Sequence, residues 1–387
     1  MNNIFEIVWI SIQITVGFYL VYPMILFLIF NLKSKKEISE VINSYNPNLD
    51  YAIIVTAYEQ THLLPETVNS ILKLNYSRYH VYVVADNCDI SKLEFSDPRV
   101  SVLRPEHILA SNTKSHFHAI KHFVRQHDVL TIIDSDNLVH SEYVNELDLF
   151  FRKGYQAVQG VRAPKNLNTT LACLDAARDI YYNYYDGQLL FQIGSSATLA
   201  GSGMAFNVRL YKECLEKIEI QGAGFDKVLQ AEIVKRGHVI AHASRAIVYD
   251  EKTSHSQQLV NQRSRWINTW FKYVRYGGEL LLKSITHLNK NQFFFGIMLL
   301  RPPLFMFILT ALGCMSVNLM MKSWDIVYWL IAFLLFCFSF FIALKEGGAS
   351  NKIYKSLLSI HKFVYLQVVS LMYSRKANKR SIATKHT

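Results

Sequence analysis

Apolar residues follow two regimes along this chain. Towards each end they run on for the length of a bilayer, and between the ends they come in short runs separated by polar, helix-periodic stretches. Ile4 to Phe30 is largely apolar, with Glu6 and Gln13 as its polar interruptions, and is long enough to cross a hydrocarbon core of roughly 30 Å. It predicts a membrane anchor over residues 1–32, because it lacks the basic leader and small-residue cleavage site of a signal peptide. Lys33, Lys35 and Lys36 follow it, and no Lys or Arg precedes it. The positive-inside bias therefore puts the amino terminus outside and the next domain in the cytoplasm.

From Tyr51 to about Asp250 the pattern is strand–helix–strand. Tyr51–Thr56, Val81–Ala85, Val100–Leu103 and Val129–Ile133 read as buried strands; Pro65–Leu74 and Ser115–Arg125 read as helices. Such alternation predicts an α/β domain with a mostly parallel sheet, whose ligands bind at the carboxyl ends of the strands. Gln262–Leu282 mixes Arg, Trp, Tyr and Lys with apolar residues, as a helix lying at a membrane interface does. After a short apolar stretch, Phe293–Leu300, and the break Arg301-Pro302-Pro303, Leu304–Met321 and Ile326–Leu344 each have the length of a span. Ile353–Tyr373 is interrupted by Lys355, His361 and Lys362 and precedes a basic tail, so it is expected to lie at the interface with the tail in the cytoplasm.

Composition sharpens this picture. Hydrophobic residues make up 51% of the 387, and their excess is localised in the terminal runs, which favours spans over a large core. The net charge of +11 suits anionic lipid and a phosphorylated substrate; no basic stretch interleaved with aromatics marks a nucleic-acid module. The five cysteines are scattered, with no Cys-x-x-Cys, so neither a disulfide framework nor a zinc site is expected.

The chemistry concentrates where the strands end. Asp134-Ser135-Asp136 follows the apolar run Val129–Ile133, and two carboxylates one residue apart chelate a hard divalent cation, Mg²⁺ or Mn²⁺, able to hold a diphosphate. Asp86 has two readings, an acceptor for the amide edge of a pyrimidine walled by Thr56, Ala57 and Tyr58, or a strand-end turn residue. Glu59 meets a ribose or caps the next helix. Asp226, in Gly224-Phe225-Asp226-Lys227, is a general base or a helix cap, and Glu232 is a weaker base candidate on the same helical stretch. Gly201-Ser202-Gly203-Met204 lets backbone approach a sugar or phosphate, or makes a tight turn. Gln262, Arg265 and Trp266 offer a donor–acceptor, a diphosphate partner and a stacking face for a sugar; Arg263 and Arg265 otherwise meet lipid headgroups. His118 and His122 have zinc-ligand spacing beside His116, but lack a third ligand. An acidic pair at a strand end, a distant Gln-x-x-Arg-Trp and membrane runs together point to sugar transfer at a bilayer.

These motifs, in their order from Ile53-Ile54-Val55-Thr56-Ala57-Tyr58-Glu59 through Val83-Val84-Ala85-Asp86-Asn87, Asp134-Ser135-Asp136 and Gly201-Ser202-Gly203-Met204 to Gln262-Arg263-Ser264-Arg265-Trp266, resemble family 2 glycosyltransferases. The likeness is to the membrane-embedded branch of cellulose, chitin, hyaluronan and poly-N-acetylglucosamine synthases. The resemblance implies a cytoplasmic GT-A (Rossmann-like) domain with flanking transmembrane and interfacial helices, and an inverting, metal-dependent hexosyltransferase. Its donor would be a UDP-sugar and its acceptor a growing polysaccharide or a lipid-linked sugar. It carries uracil binding to Asp86, the diphosphate to Asp134, the metal to Asp136 and the base to Asp226. Gln262, Arg265 and Trp266 would frame acceptor and diphosphate. Gly224-Phe225-Asp226 departs from the family's Thr-Glu-Asp, and the ending Ile382–Thr387 resembles the family's Thr-x-His tails. The expected organisation is an anchor (1–32), a GT-A domain (48–260), interfacial helices with the Gln-x-x-Arg-Trp element (261–303), two spans (304–345) and an interfacial helix with basic tail (352–387). A bacterial inner membrane is the expected location, with membrane lipids and synthase-complex proteins as partners. A catalytically silent, UDP-sugar-binding subunit of such a complex is the alternative.

Overall fold

The computed structural model describes residues 2–33, 49–220 and 222–377. Lys35, Lys36, the boundary at residue 48 and the tail motif at 382–387 lie outside them.

Helix α1 (Asn2–Leu32) leads to an α/β domain in which β1 (Tyr51–Tyr58), α2 (Leu64–Leu72), β2 (Tyr79–Asp86), β3 (Val100–Leu103), α3 (Asn112–Lys121) and β4 (Val129–Asp134) follow in turn. Next come β5 (Leu138–Val139), α4 (Tyr143–Arg152), β6 (Ala157–Pro164) and α5 (Thr170–Tyr182), which runs through a π-helical turn (Asn183–Leu189) into α6 (Leu190–Gln192). The domain finishes with β7 (Met204–Asn207), α7 (Val208–Leu215), α8 (Phe225–Lys235) and β8 (Ile240–Asp250). The eight strands form one sheet in the order β3-β2-β1-β4-β7-β6-β8-β5. Its first half is parallel, as the strand–helix alternation predicts. The second half is mixed: β7 runs antiparallel to β4 and β6, β5 runs antiparallel to β8, and β6 pairs β8 in parallel. Tyr51–Val55 and Val81–Ala85 are buried on both faces, which is why they read as continuous apolar runs without alternation.

Helix α3 starts three residues earlier than its periodicity predicts, because the Ser111 side chain caps it by accepting from the Lys114 amide. Beyond the sheet the chain is helical: α9 (Ser256–Tyr273), α10 (Arg275–His287), α11 (Lys290–Leu300), α12 (Leu304–Met320), α13 (Ile326–Glu346), α14 (Asn351–Ser356) and α15 (Ile360–Tyr373). The stretch read as one element from Ile353 to Tyr373 is thus broken by a 3₁₀ turn at Leu357–Ser359. By length and composition α1 and α13 suffice to cross a membrane, and α11 with α12, bent by 70°, would together make a third span. Gln13 joins the three apolar helices: its Oε1 accepts from Trp329 Nε1 of α13 at 3.0 Å and from Asn318 Nδ2 of α12.

The α11–α12 bend is anchored by a buried ion pair. Arg301, at the break, meets Asp186 in the π-helical turn, and their side chains are 4% and 6% exposed. Removing one member leaves the other charge buried alone, at a cost of about 3–5 kcal/mol. Arg301→Leu is therefore expected to lower the thermal midpoint of the detergent-solubilised protein by several degrees, and an unchanged midpoint would show that Asp186 escapes to water.

Candidate active site

Register brings the sequence's polar strand ends together. Thr56 of β1 lies level with Asp134 of β4, and Tyr58 lies level with Asp86 of β2. Neighbouring strands are roughly 4.8 Å apart, so Thr56, Ala57, Tyr58, Glu59, Asp86, Asp134 and Asp136 share one rim of the sheet. Glu59 and Asn87 leave their strands with left-handed backbone, φ 62° and 53°. The Glu59 amide bonds the Asp86 carbonyl at 3.2 Å, which ties the two exits to each other.

The Asp-Ser-Asp loop is held from both sides. Ser202 Oγ accepts from the Asp134 amide at 3.0 Å and from Asn137 Nδ2 at 2.9 Å, while Thr67 Oγ donates to the Ser135 carbonyl at 2.8 Å. Gly203 has φ +67°, and a Cβ there would stand 3.0 Å from Val248 Cγ2, so its close approach is to β8. Ser202 is a positioning residue that sequence reading passed over, although it stands inside the glycine run already singled out.

Electrostatics mark the same loop. Burial pushes the Asp134 carboxyl up to about 7; the neighbouring Asp136, Asp250 and Asp226 push it the same way and Arg162 opposes them. A carboxyl that holds its proton near neutrality among three others is short of positive charge. Asp134 and Asp136 therefore fit a divalent cation. Among the described residues no group of three or more His, Cys, Asp or Glu is arranged to hold an ion. The remaining ligands would come from substrate phosphate and water, as is usual for Mg²⁺. The histidines in and just after α3 have protein partners: His116 Nδ1 bonds the Tyr211 hydroxyl at 2.7 Å, and His122 Nδ1 meets the His118 carbonyl at 2.8 Å.

Behind the pair, Arg162 Nη2 bonds Asp250 at 2.6 Å, and the buried Lys252 ammonium bonds Asp250 at 2.8 Å and Asp179 at 2.6 Å. None of these residues was singled out from sequence. The available signal was Asp250-Glu251-Lys252 at the end of the apolar run Ile247–Tyr249, the same logic that identifies Asp134.

Asp86 is only 2% exposed, and its two carboxylate oxygens accept from the amides of Leu109 and Ala110 at 2.9 and 2.7 Å. Ala110 is itself left-handed, φ 44°. A pyrimidine at Asp86 would share these oxygens or shift the 104–111 loop.

Asp226 lies in the first turn of α8, near enough to Asp134 to raise its proton affinity. Lys227 Nζ stands 3.3 Å from its Oδ2 and donates to the Leu199 carbonyl at 3.2 Å, which directs the carboxylate. Gly224, just before it, has φ +104°, and a Cβ there would come within 2.6 Å of Thr269 and 2.7 Å of Tyr273 on α9. Only glycine lets the start of α8 close on the helix that carries Gln262, Arg265 and Trp266. Glu232 is drawn elsewhere, into pairs with Arg236 and, at 3.8 Å, Lys235.

On α9, Gln262 Oε1 accepts from Thr253 Oγ at 3.2 Å, three residues beyond the end of β8. Trp266 is 36% exposed and lies against two guanidinium groups, those of Arg178 and Arg263. Arg263 is buried and paired with Asp175, so the lipid-headgroup reading does not hold for it. Arg265 is half-buried, and burial lowers its pKa.

A family profile, glycosyltransferase like family 2, matches residues 47–269, more than half of the chain. No curated protein matches. Among solved structures, the chain is similar to a mannosyltransferase from Pyrobaculum calidifontis in complex with GDP-Man and Mn²⁺, at 13% identity and a TM-score of 0.58, covering 95% of this chain and 98% of that one. It is also similar to residues 1–349 of S. aureus TarS in complex with UDP-GlcNAc, at 12% identity and a TM-score of 0.44, over 85% of this chain and 90% of that one.

Proposed function

Since the chain belongs to the glycosyltransferase-like family 2, we propose that it is an inverting membrane glycosyltransferase. It moves a hexose or N-acetylhexosamine from a UDP-sugar to a growing polysaccharide or a lipid-linked acceptor. The observation that carries this reading is the gathering of Thr56, Asp86, Asp134, Asp136 and Asp226 around one end of the sheet, with α9 closing on it through Gly224.

The roles follow from chemistry. Thr56, Ala57, Tyr58 and Asp86 make the nucleoside wall, and Glu59 is placed for the ribose. Asp134 faces the diphosphate, and Asp136 would ligate Mg²⁺ or Mn²⁺, which when bound neutralises the diphosphate oxygens. Arg265 adds a fixed positive charge, and Gln262 and Trp266 hold the acceptor. An Asp226 carboxylate oxygen takes the proton of the acceptor hydroxyl as that oxygen bonds to the anomeric carbon. The bond from that carbon to the phosphate oxygen breaks on the opposite face, UDP departs, and the configuration inverts.

The GT domain (48–260) is proposed to face the cytoplasm, with α1 and the 304–345 helices spanning the membrane and 261–303 and 352–387 at its surface. A bacterial inner membrane, anionic lipid and other synthase proteins complete this reading. The mannosyltransferase similarity extends to the fold alone, so GDP-mannose belongs in the donor panel beside the UDP-sugars. Protein in nanodiscs with Mg²⁺ or Mn²⁺ and membrane lipid extract is expected to release UDP from one UDP-hexose or UDP-N-acetylhexosamine. Turnover of GDP-mannose alone would overturn the UDP assignment. One observation favours the alternative of a silent subunit: Gly224-Phe225-Asp226 replaces Thr-Glu-Asp and its carboxylate is held by Lys227. UDP binding with no turnover of any donor would establish that alternative.

A further inference from the structure

Trp266, in the acceptor element of α9, has two cationic neighbours. Part of its surface is open, and its ring also meets the guanidinium of Arg263 from its own helix, 3.9 Å from the ring centroid, and that of Arg178 from α5, 4.5 Å away. A partly exposed indole on a helix surface has several rotamers open to it, and each cation–π contact helps to select one.

The two guanidiniums are themselves fixed. Arg263 pairs with the buried Asp175, and Arg178 pairs with Asp179 and reaches Asp175 at 3.6 Å. Asp179 accepts from Lys252 at 2.6 Å, Lys252 from its other side bonds Asp250 at 2.8 Å, and Asp250 receives Arg162 at 2.6 Å. The Arg162 charge in turn acts on Asp134. A chain of ion pairs thus runs from the two arginines at the indole of α9 back to Arg162.

We propose that Arg178 is a positioning residue for acceptor binding: its planar guanidinium, oriented by Asp179, sets the Trp266 indole as the floor on which the acceptor sugar lies. This deepens the function proposed above and rests on it. A sugar ring that stacks on a displaced indole presents its hydroxyl away from Asp226, and a misplacement of 1 Å costs about a hundredfold in rate. Lysine does not replace arginine here, since an ammonium keeps the charge but has no plane to stack.

The test uses the full-length protein in nanodiscs with the donor found active and two variants, Arg178→Met and Arg178→Lys. Arg178→Lys retains the buried positive charge and so guards against simple misfolding. Both are expected to lower kcat/KM for the acceptor by about 10- to 100-fold, with Lys recovering only part. Donor KM and the slow acceptor-free hydrolysis of the donor are expected to stay within about twofold, because Arg178 itself meets Asp175, Asp179, Tyr182 and Trp266 and none of the residues assigned to the donor. Parallel loss of hydrolysis and transfer would overturn the proposal in favour of a general structural role, as would unchanged transfer. If the wild type turns over no donor, the proposed function fails and hydrogen exchange decides the inference. Faster exchange across 256–273 in Arg178→Met, with 129–134 unchanged, supports positioning of α9; equal exchange overturns it.

Discussion

Asp136→Asn is expected to abolish sugar-nucleotide turnover to within detection, a loss of about a thousandfold or more. The reason is charge. A cation on the leaving diphosphate supplies several kcal/mol of stabilisation, and about 4 kcal/mol corresponds to a thousandfold in rate. UDP release measured across a range of Mg²⁺ and Mn²⁺ checks it, and turnover within tenfold of wild type would remove Asp136 from the metal site. A second readout follows from Asp134. Its carboxyl titrates near 7 in the fold against an ordinary 3.8, in part because Asp136 stands beside it. A raised carboxyl contributes stability that is complete below the ordinary value and is lost as pH rises through the folded one. In metal-free buffer the thermal midpoint should therefore fall between about pH 4 and pH 7, and less steeply in Asp136→Asn. Activity and stability then move in opposite directions, which a misfolded variant would not reproduce.

Asp226→Asn is expected to lower transfer by about 10²–10⁴-fold, the usual worth of a positioned general base, while UDP affinity is retained. Steady-state transfer and UDP binding on the same preparation separate the two. Glu232→Gln is the internal control: its carboxylate is committed to Arg236 and Lys235, and transfer should stay within about twofold. Transfer lost in Glu232→Gln and kept in Asp226→Asn would exchange their roles.

Much of the candidate site is legible in the sequence. Asp134, Asp86 and Glu59 stand where apolar runs stop, and a buried parallel strand must end its apolar run where it meets solvent. The register of β1 with β2 and β4 then makes those stops coincide. The antiparallel strands β7 and β5 in the mixed half of the sheet were not legible, because they are only four and two residues long and carry no period to read. Ser202 escaped notice for a related reason: a hydroxyl that caps a backbone amide in a distant loop leaves no mark on its own neighbours in sequence.

Hydrophobic pattern and motif order determined the first four strands, the rim of the sheet where their polar ends meet and the residues worth testing. Each of these is written in the local alternation of burial and exposure. The sequence did not contain the partners. Arg263 meets Asp175 across 88 positions, Asp86 gives both carboxylate oxygens to a loop more than twenty residues on, and Gly224 closes on Thr269 and Tyr273. A buried charge takes whichever opposite charge the packing of helices brings within hydrogen-bond reach, and that choice is made only when the layers of the fold come together.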